Sequence, residues 1–442
     1  MLTLSCLSPV LSVYGAGSEV LRQAGTAAGP LFLLGIAATA LFVLVYAEFG
    51  AAFPYAGGDY VGVGSILGSW AGVVVLALWA VFAGPGNAFE AKIFAAYAHE
   101  LLPMIPLSVL TGGALLSATA IALLAVRWGA IVTGTILAVE AAVIVVLIGA
   151  GFLSPARNFT ETITHPLTMT AGGLIAPAAS ALALGAVSAF YAAAGGQQAI
   201  YFGEELERPH RRMGPIIIMA GLIGACATAF PVIAISIGAN DLPGVLGSPA
   251  PIAMFAIEKL GIWAGTALNI GVVLAIFNAL IVQVMAYSRL YFSLGRDKLF
   301  NTGTNRWLAS VDGPSGVPRN ATLAIAVYSA LACFLDSRTL LIFMTGILVY
   351  GWSLVCISVL VGRYKGLTGG HGYWRIPLHP VAPVLGLVLA GAIAFANLSD
   401  RDAGRPSLIA LGIVMLVAIA WYHLVLARRP GGWQPRIGSN ED

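Results

Sequence analysis

The sequence predicts an all-α polytopic membrane protein with twelve transmembrane helices in a five-plus-five inverted repeat. Three observations carry this. The chain has 442 residues, 59% hydrophobic and only 9% charged, where soluble domains carry about a quarter charged residues. Its mean hydropathy is +0.91. Its apolar residues fall into twelve runs, each near the about 20 residues that cross hydrocarbon. Two of those runs, five spans apart, are interrupted by glycines at mid-depth, the mark of discontinuous helices in two repeated halves.

In chain order the spans are 1, Leu2–Gln23; 2, Pro30–Phe53; 3, Trp70–Tyr97; 4, Leu107–Val126; 5, Ile131–Phe152; and 6, Ile175–Phe202. The second half holds 7, Gly214–Ile237; 8, Ile262–Leu294; 9, Ala321–Leu335; 10, Thr339–Val361; 11, His379–Leu398; and 12, Ser407–Ala427. Residues 1–429 thus read as one membrane domain. Repeat one covers about 1–152, repeat two about 173–361 and spans 11 and 12 about 378–427; residues 430–442 form a short polar tail. Met1 runs straight into apolar sequence without a basic stretch or a small-residue cleavage site, so no signal peptide is expected.

Span 1 is interrupted at Ser12-Val13-Tyr14-Gly15-Ala16-Gly17. Glycine costs a helix interior about 1 kcal/mol against alanine. A break here leaves backbone N–H groups that hydrocarbon tolerates only beside a cavity or a ligand. Such groups at the start of a half-helix favour an anion such as a carboxylate. Ser12, Tyr14, Gly15, Ala16 and Gly17 are therefore candidate binding residues. The other reading is a glycine-rich helix that packs closely on its neighbours. Span 6 repeats the pattern at Tyr191-Ala192-Ala193-Ala194-Gly195-Gly196-Gln197-Gln198. There Tyr191, Ala194, Gly195 and Gly196 are the candidates, with close helix packing again the alternative. Together the breaks point to a small-molecule transporter whose site lies near the midplane.

Lysine and arginine set the orientation. With the N-terminus inside, inner loops and tail hold Arg127, Arg208, Arg211, Arg212, Arg296, Lys298, Arg363, Lys365, Arg428 and Arg429, whereas outer loops hold Arg157, Lys259, Arg338, Arg401 and Arg405. The expected location is the cell inner (plasma) membrane, with both termini cytoplasmic. The basic residues sit in short loops, so the formal charge of +3 does not argue for nucleic acid. Cys6, Cys226, Cys333 and Cys356 are scattered and read as core residues. No phosphate-binding loop, nucleophile elbow or paired histidines are present, so neither an enzyme, a metal nor a cofactor is expected.

Three motifs then narrow the class. Tyr46-Ala47-Glu48-Phe49-Gly50-Ala51-Ala52-Phe53-Pro54-Tyr55-Ala56-Gly57-Gly58-Asp59-Tyr60 follows span 2, Gly203-Glu204-Glu205-Leu206-Glu207-Arg208-Pro209 opens the junction from span 6 to span 7, and Ser288-Arg289 precedes Arg296-Asp297 after span 8. In order and spacing these resemble signatures of the amino acid–polyamine–organocation (APC) transporter family. The resemblance implies amino acid transport by a permease of the five-plus-five fold. It also implies that amides of Gly15–Gly17 hold a substrate carboxylate, that the Tyr191–Gly196 break holds the amino group, and that Asn87 faces substrate. This chain departs from the family pattern in its polar Glu19 and Arg22 and in its run of alanines before Gly195.

Charges inside spans are expensive and usually functional. Glu48 and Glu205 lie near span ends and read as caps or loop anchors. Glu19 and Arg22, at i and i+3, can pair across one turn, and with Glu90 they are gate candidates. Glu90 lies one turn beyond Asn87 on nearly the same helix face, where it can attract a cationic group; Lys92, two residues on, points elsewhere and snorkels outward. Glu140 stands midway along span 5, where many APC members carry a lysine. Burial penalises its ionised form. It can move a proton between two conformations, help bind sodium, pair with a cationic substrate, or be a structural hydrogen-bonding group. The expected function is secondary active transport of an amino acid across the bilayer, coupled to a proton or to sodium. The alternative is an amine or polyamine carrier or exchanger of the same fold.

Overall fold

The computed structural model describes residues 12–55, 58–123, 129–311, 317–377, 379–430 and 432–433. Predicted features on Leu2–Leu11, at Arg127 and over most of the tail lie outside them. The chain is mainly helical. Eight helical stretches among the described residues are long and apolar enough to cross a membrane, with further shorter apolar helices at Leu107–Ala122 and Glu140–Phe152. This is a multi-pass membrane protein.

The helices are α1 (Ser18–Ala24), α2 (Ala28–Ala52), α3 (Asp59–Leu67), α4 (Ser69–Leu101), α5 (Leu107–Ala122), α6 (Gly129–Phe152), α7 (Phe159–Thr164) and α8 (Ala179–Ala193). They continue as α9 (Pro209–Gly238), α10 (Leu242–Gly247), α11 (Pro251–Arg296), α12 (Thr302–Leu308), α13 (Arg319–Ala332), α14 (Ser337–Tyr364), α15 (Val381–Ser399) and α16 (Gly404–Trp421). Gly261, at φ 81°, divides α11, so its long arm starts at the predicted Ile262. One correction concerns the all-helical expectation. Thr168–Thr170 and Gly173–Ile175 pair as a two-stranded antiparallel ribbon. Leu167 exchanges two 2.9 Å hydrogen bonds with Thr26, through the Thr26 backbone N–H and hydroxyl, which ties the ribbon to the turn after α1.

A second correction concerns span 1. Val13–Gly17 is not unwound. It forms a π-helical turn that runs into α1, and the Ser18 N–H donates to both Val13 O and Gly15 O. Side chains distant in sequence, Phe89 and Val232, pack against its glycines. Span 6 does stop where its sequence predicts. α8 ends at Ala193, and Ala194-Gly195-Gly196 is non-helical. A 3-10 segment, Gln197–Glu205, follows.

The chain divides into two compact units. The first takes Met1–Ile36, Ala83–Ala193 and Ala225–Leu341; the second takes Ala37–Phe82, Ala194–Gly224 and Ile342–Asp442. In the first unit, α11 packs on α5, α6 and α13, and α8 packs on α1 and its π turn. Small residues allow close approach in place of a hydrophobic drive between helices. The Gly29 N–H donates to Ser236 Oγ at 3.1 Å, and Gly35 lies against the Ala189 carbonyl.

The second unit is organised by aromatic rings and one carboxylate. Trp352, Phe42, Tyr46 and Phe49 are all 0% exposed. Phe42 meets Trp352 of α14 in a tilted contact at 5.4 Å, and on α2 it meets Tyr46 at 4.7 Å, with Phe49 one turn further on. Three to four residues apart on α2, these rings share one face. Glu48, also 0% exposed, accepts from Arg363 Nε and Nη2 at 2.6 and 2.7 Å and from the Ile376 N–H at 2.8 Å. It is a loop anchor, as its place in the sequence suggests.

Glu48→Ala leaves Arg363 beside an empty buried site and is expected to cost about 3–5 kcal/mol, with Glu48→Gln milder; thermal melts of the purified protein measure this, and an unchanged melt would mean the pair holds nothing. Asp59 gives a pH signature. It lies between the second and third spans, where burial pushes its carboxyl from 3.8 up to about 6 against the pull of hydrogen bonds from Tyr46 and Trp79. The ionised form therefore costs the fold. That cost is absent below the unfolded value, grows as pH rises from about 4 to about 6 and is full above, at roughly 3 kcal/mol. The melting curve of the parent minus that of Asp59→Asn should fall across that window; a flat difference would contradict this.

Candidate functional site

In the first unit, three helices bring the predicted residues of spans 1, 3 and 6 to the π turn. Ser12 precedes it, partly buried, and Tyr14, Gly15, Ala16 and Gly17 within it are buried. A side chain at Gly15 would meet the Phe89 ring at 3.1 Å, and one at Gly17 would meet Val232 at 3.0 Å. Close packing and a departure from α geometry thus coexist here, where the sequence left them as alternatives. The bonds of a π turn span five residues instead of four, and such turns recur at functional sites.

Around this turn lie buried polar atoms with no hydrogen-bond partner among the described residues: Tyr14 Oη, Asn87 Oδ1, Glu90 Oε2 and Ser188 Oγ. Tyr14 is 0% exposed, Asn87 0%, Ser188 0% and Glu90 3%. A buried polar group left unpaired costs about 1–3 kcal/mol, and more when charged. Four on three helices that pack together mark a place built to receive something polar. Tyr14 meets Tyr97 edge to face at 4.9 Å. Tyr97 Oη and Ser18 Oγ share a 2.6 Å hydrogen bond, and Asn269 Nδ2 donates to Tyr97 O at 3.2 Å. Tyr191, partly buried on α8, is within electrostatic reach of Glu90.

Ser18, Tyr97, Ser188 and Asn269 were not singled out from the sequence. Tyr97 had a signal, because it falls about two turns beyond Glu90 on the same face of α4. Ser18 sits beside the glycines. Nothing local marks Ser188 or Asn269.

Asn87 resolves into two halves. Its Nδ2 donates to Ser329 Oγ on α13 at 3.0 Å, and its Oδ1 is left for another donor. Glu19 pairs with Arg22, as the spacing allowed, and also accepts from Gln23 Nε2 at 2.7 Å. Arg22 is the exposed partner, so the pair reads as a structural clamp on α1. Glu140 is 5% exposed on α6 and engages its surroundings. No group of three or more potential metal ligands occurs among the described residues.

In the second unit, Gly196 adopts φ 92°, which favours glycine. A side chain there would meet the Ile217 carbonyl at 2.6 Å and the Gly221 N at 2.8 Å. Gly195 O is similarly close to Gly221. The break therefore rests glycine on glycine against α9. Ala194 is partly buried and Gly195 and Gly196 are buried.

The amino acid permease family matches residues 2–421 of the chain. A branched-chain amino acid permease of Lactococcus lactis is 24% identical over 447 residues, covering 95% of this chain and 91% of its own length. The human cationic amino acid transporter 4 is 26% identical, over 79% of this chain and 57% of its own length. The mouse Asc-type amino acid transporter 1 is 25% identical, over 93% and 78%.

Substitution separates the halves of Asn87. Asn87→Ala is expected to weaken substrate binding about tenfold, the value of one hydrogen bond to a charged group. Ser329→Ala removes the helix-to-helix bond together with the local bond from Ser329 Oγ to Ile325 O and should cost about 1 kcal/mol of stability or somewhat more with affinity kept. Calorimetric titration beside thermal melts reads both, and the reverse pattern would assign Asn87 to packing.

Proposed function

We propose a function from one established premise: the chain belongs to the amino acid permease family. Its members and this chain's relatives are transporters, not enzymes. Within that premise we read the protein as a secondary active transporter that carries an amino acid across the cell inner membrane by alternating access. The observation that carries this reading is the set of unpartnered buried polar atoms around the π turn. An amino acid presents a carboxylate and an ammonium on the same carbon, and a hydrocarbon interior holds such a zwitterion only where polar groups replace its water.

In this reading the substrate carboxylate takes the amides of Gly15, Ala16 and Gly17 as the π turn opens, and Ser12 and Tyr14 border it. The ammonium meets Tyr191 and the Asn87 oxygen. The twelve spans form five-plus-five inverted repeats followed by a pair, with both termini cytoplasmic. Glu140 carries the coupling proton, because a carboxyl at mid-depth pays heavily for its charge and changes state when its surroundings change. Sodium in place of the proton is the alternative occupant.

One observation favours a second reading. Glu90 keeps an unpartnered oxygen at 3% exposure. A carboxylate so placed suits a substrate with an extra positive charge, a cationic amino acid or an amine. Uptake competition between neutral amino acids, arginine and polyamines decides between them.

Transport into proteoliposomes under an imposed pH gradient tests the coupling. The parent should concentrate substrate in response to the gradient, while Glu140→Gln should exchange substrate yet ignore the gradient. A parent indifferent to pH, or a variant that still responds, removes Glu140 from that role.

A further inference from the structure

The second unit carries an open, basic surface depression that the transport reading does not use, with Arg208, Arg211 and His371 exposed at its rim. Its volume is about 370 Å³, and Arg208, His210, Arg211, His371, Gly372 and Tyr373 line it. The residues come from the start of α9 and from the loop between α14 and α15. Arg208 takes a left-handed φ of 55°, a conformation that a long side chain adopts at a cost.

The floor of the cavity is fixed. His210 Nδ1 lies 2.7 Å from the Ala51 carbonyl. A carbonyl only accepts, so Nδ1 carries the proton and donates. The imidazole stacks on the Tyr373 ring, with centroids 4.3 Å apart and planes 4° apart. The Trp374 N–H donates to His210 O at 3.0 Å, which fastens the loop to the start of α9. Arg211 lies along the Gly372 backbone, with its Nη2 3.7 Å from where a side chain would begin.

The charge there is not neutralised. Arg212 pairs with Glu207 at 3.6 Å, but neither Arg208 nor Arg211 has a carboxylate partner among the described residues. The side chains of Glu204 and Glu205 lie outside them. Two guanidinium groups on one concavity raise the local positive potential, and the imidazoles add polar nitrogens beside them. Guanidinium forks match the oxygens of a phosphate in pairs, and the Tyr373 hydroxyl adds a donor.

We propose that this cavity binds a phosphate-bearing anion, either free phosphate or a phospholipid headgroup. The arginine distribution places it on the cytoplasmic side, but binding in detergent does not depend on that, nor on the identity of the transported substrate. An occupant would join the start of α9 to the loop at residues 371–373 and should raise the melting temperature.

The test titrates detergent-purified full-length protein with inorganic phosphate, with short-chain phosphatidic acid and with short-chain phosphatidylcholine, at ionic strength fixed by sodium chloride. Saturable binding of phosphate, or of phosphatidic acid but not phosphatidylcholine, is expected, and which probe binds identifies the source. R208Q/R211Q should weaken it about tenfold or more. R428Q/R429Q, which removes equal charge outside the cavity, should leave it within about twofold; R211Q alone serves if the double variant does not fold. No saturable binding by the parent, or equal losses in both double variants, would overturn the proposal.

Discussion

A buried polar group in a bilayer has no water to fall back on, so it finds a partner in the protein or waits for one. Most of the buried polar groups described above are answered. Glu48 has its guanidinium and a backbone N–H, Asp59 has Tyr46, Ser18 has Tyr97, and Gly29 uses Ser236. Others are not, and among the buried atoms without a partner in the described residues the oxygens of Tyr14, Asn87, Glu90 and Ser188 form one group. They lie on the helices that meet at the π turn of Val13–Gly17.

The two predicted breaks meet the constraint differently. At Ala194–Gly196 the helix stops and its backbone rests on Gly221, where any side chain would clash. At Val13–Gly17 the helix persists but widens, with its glycines pressed by Phe89 and Val232. A π turn departs from regular α bonding, and such turns recur at functional sites.

The spans were legible because long apolar runs leave few alternatives. Leu107 opens both the predicted and the observed fourth span, Phe152 closes both versions of the fifth, and Ile262 follows the observed kink at Gly261. The ribbon at 168–175 was hidden because Leu174 and Ile175 extend the apolar run that becomes span 6. The form of the first break was not legible. Gly-Ala-Gly says that a helix is weak there, but Phe89, Ile93 and Val232, which decide how it yields, are distant in sequence. Arg363 lies 315 residues from Glu48, and no local pattern predicts that pairing. Of the site, Tyr14, Asn87 and Glu90 could be read from helix spacing, whereas Ser188 shows only through its unmet hydroxyl.

The most direct measurement is equilibrium binding of matched pairs, each an amino acid and the amine left when its carboxylate is removed, to the purified protein. If the π turn receives a carboxylate, at least one amino acid should bind saturably while its amine binds far more weakly. An amine that binds as tightly as its parent amino acid would contradict the account.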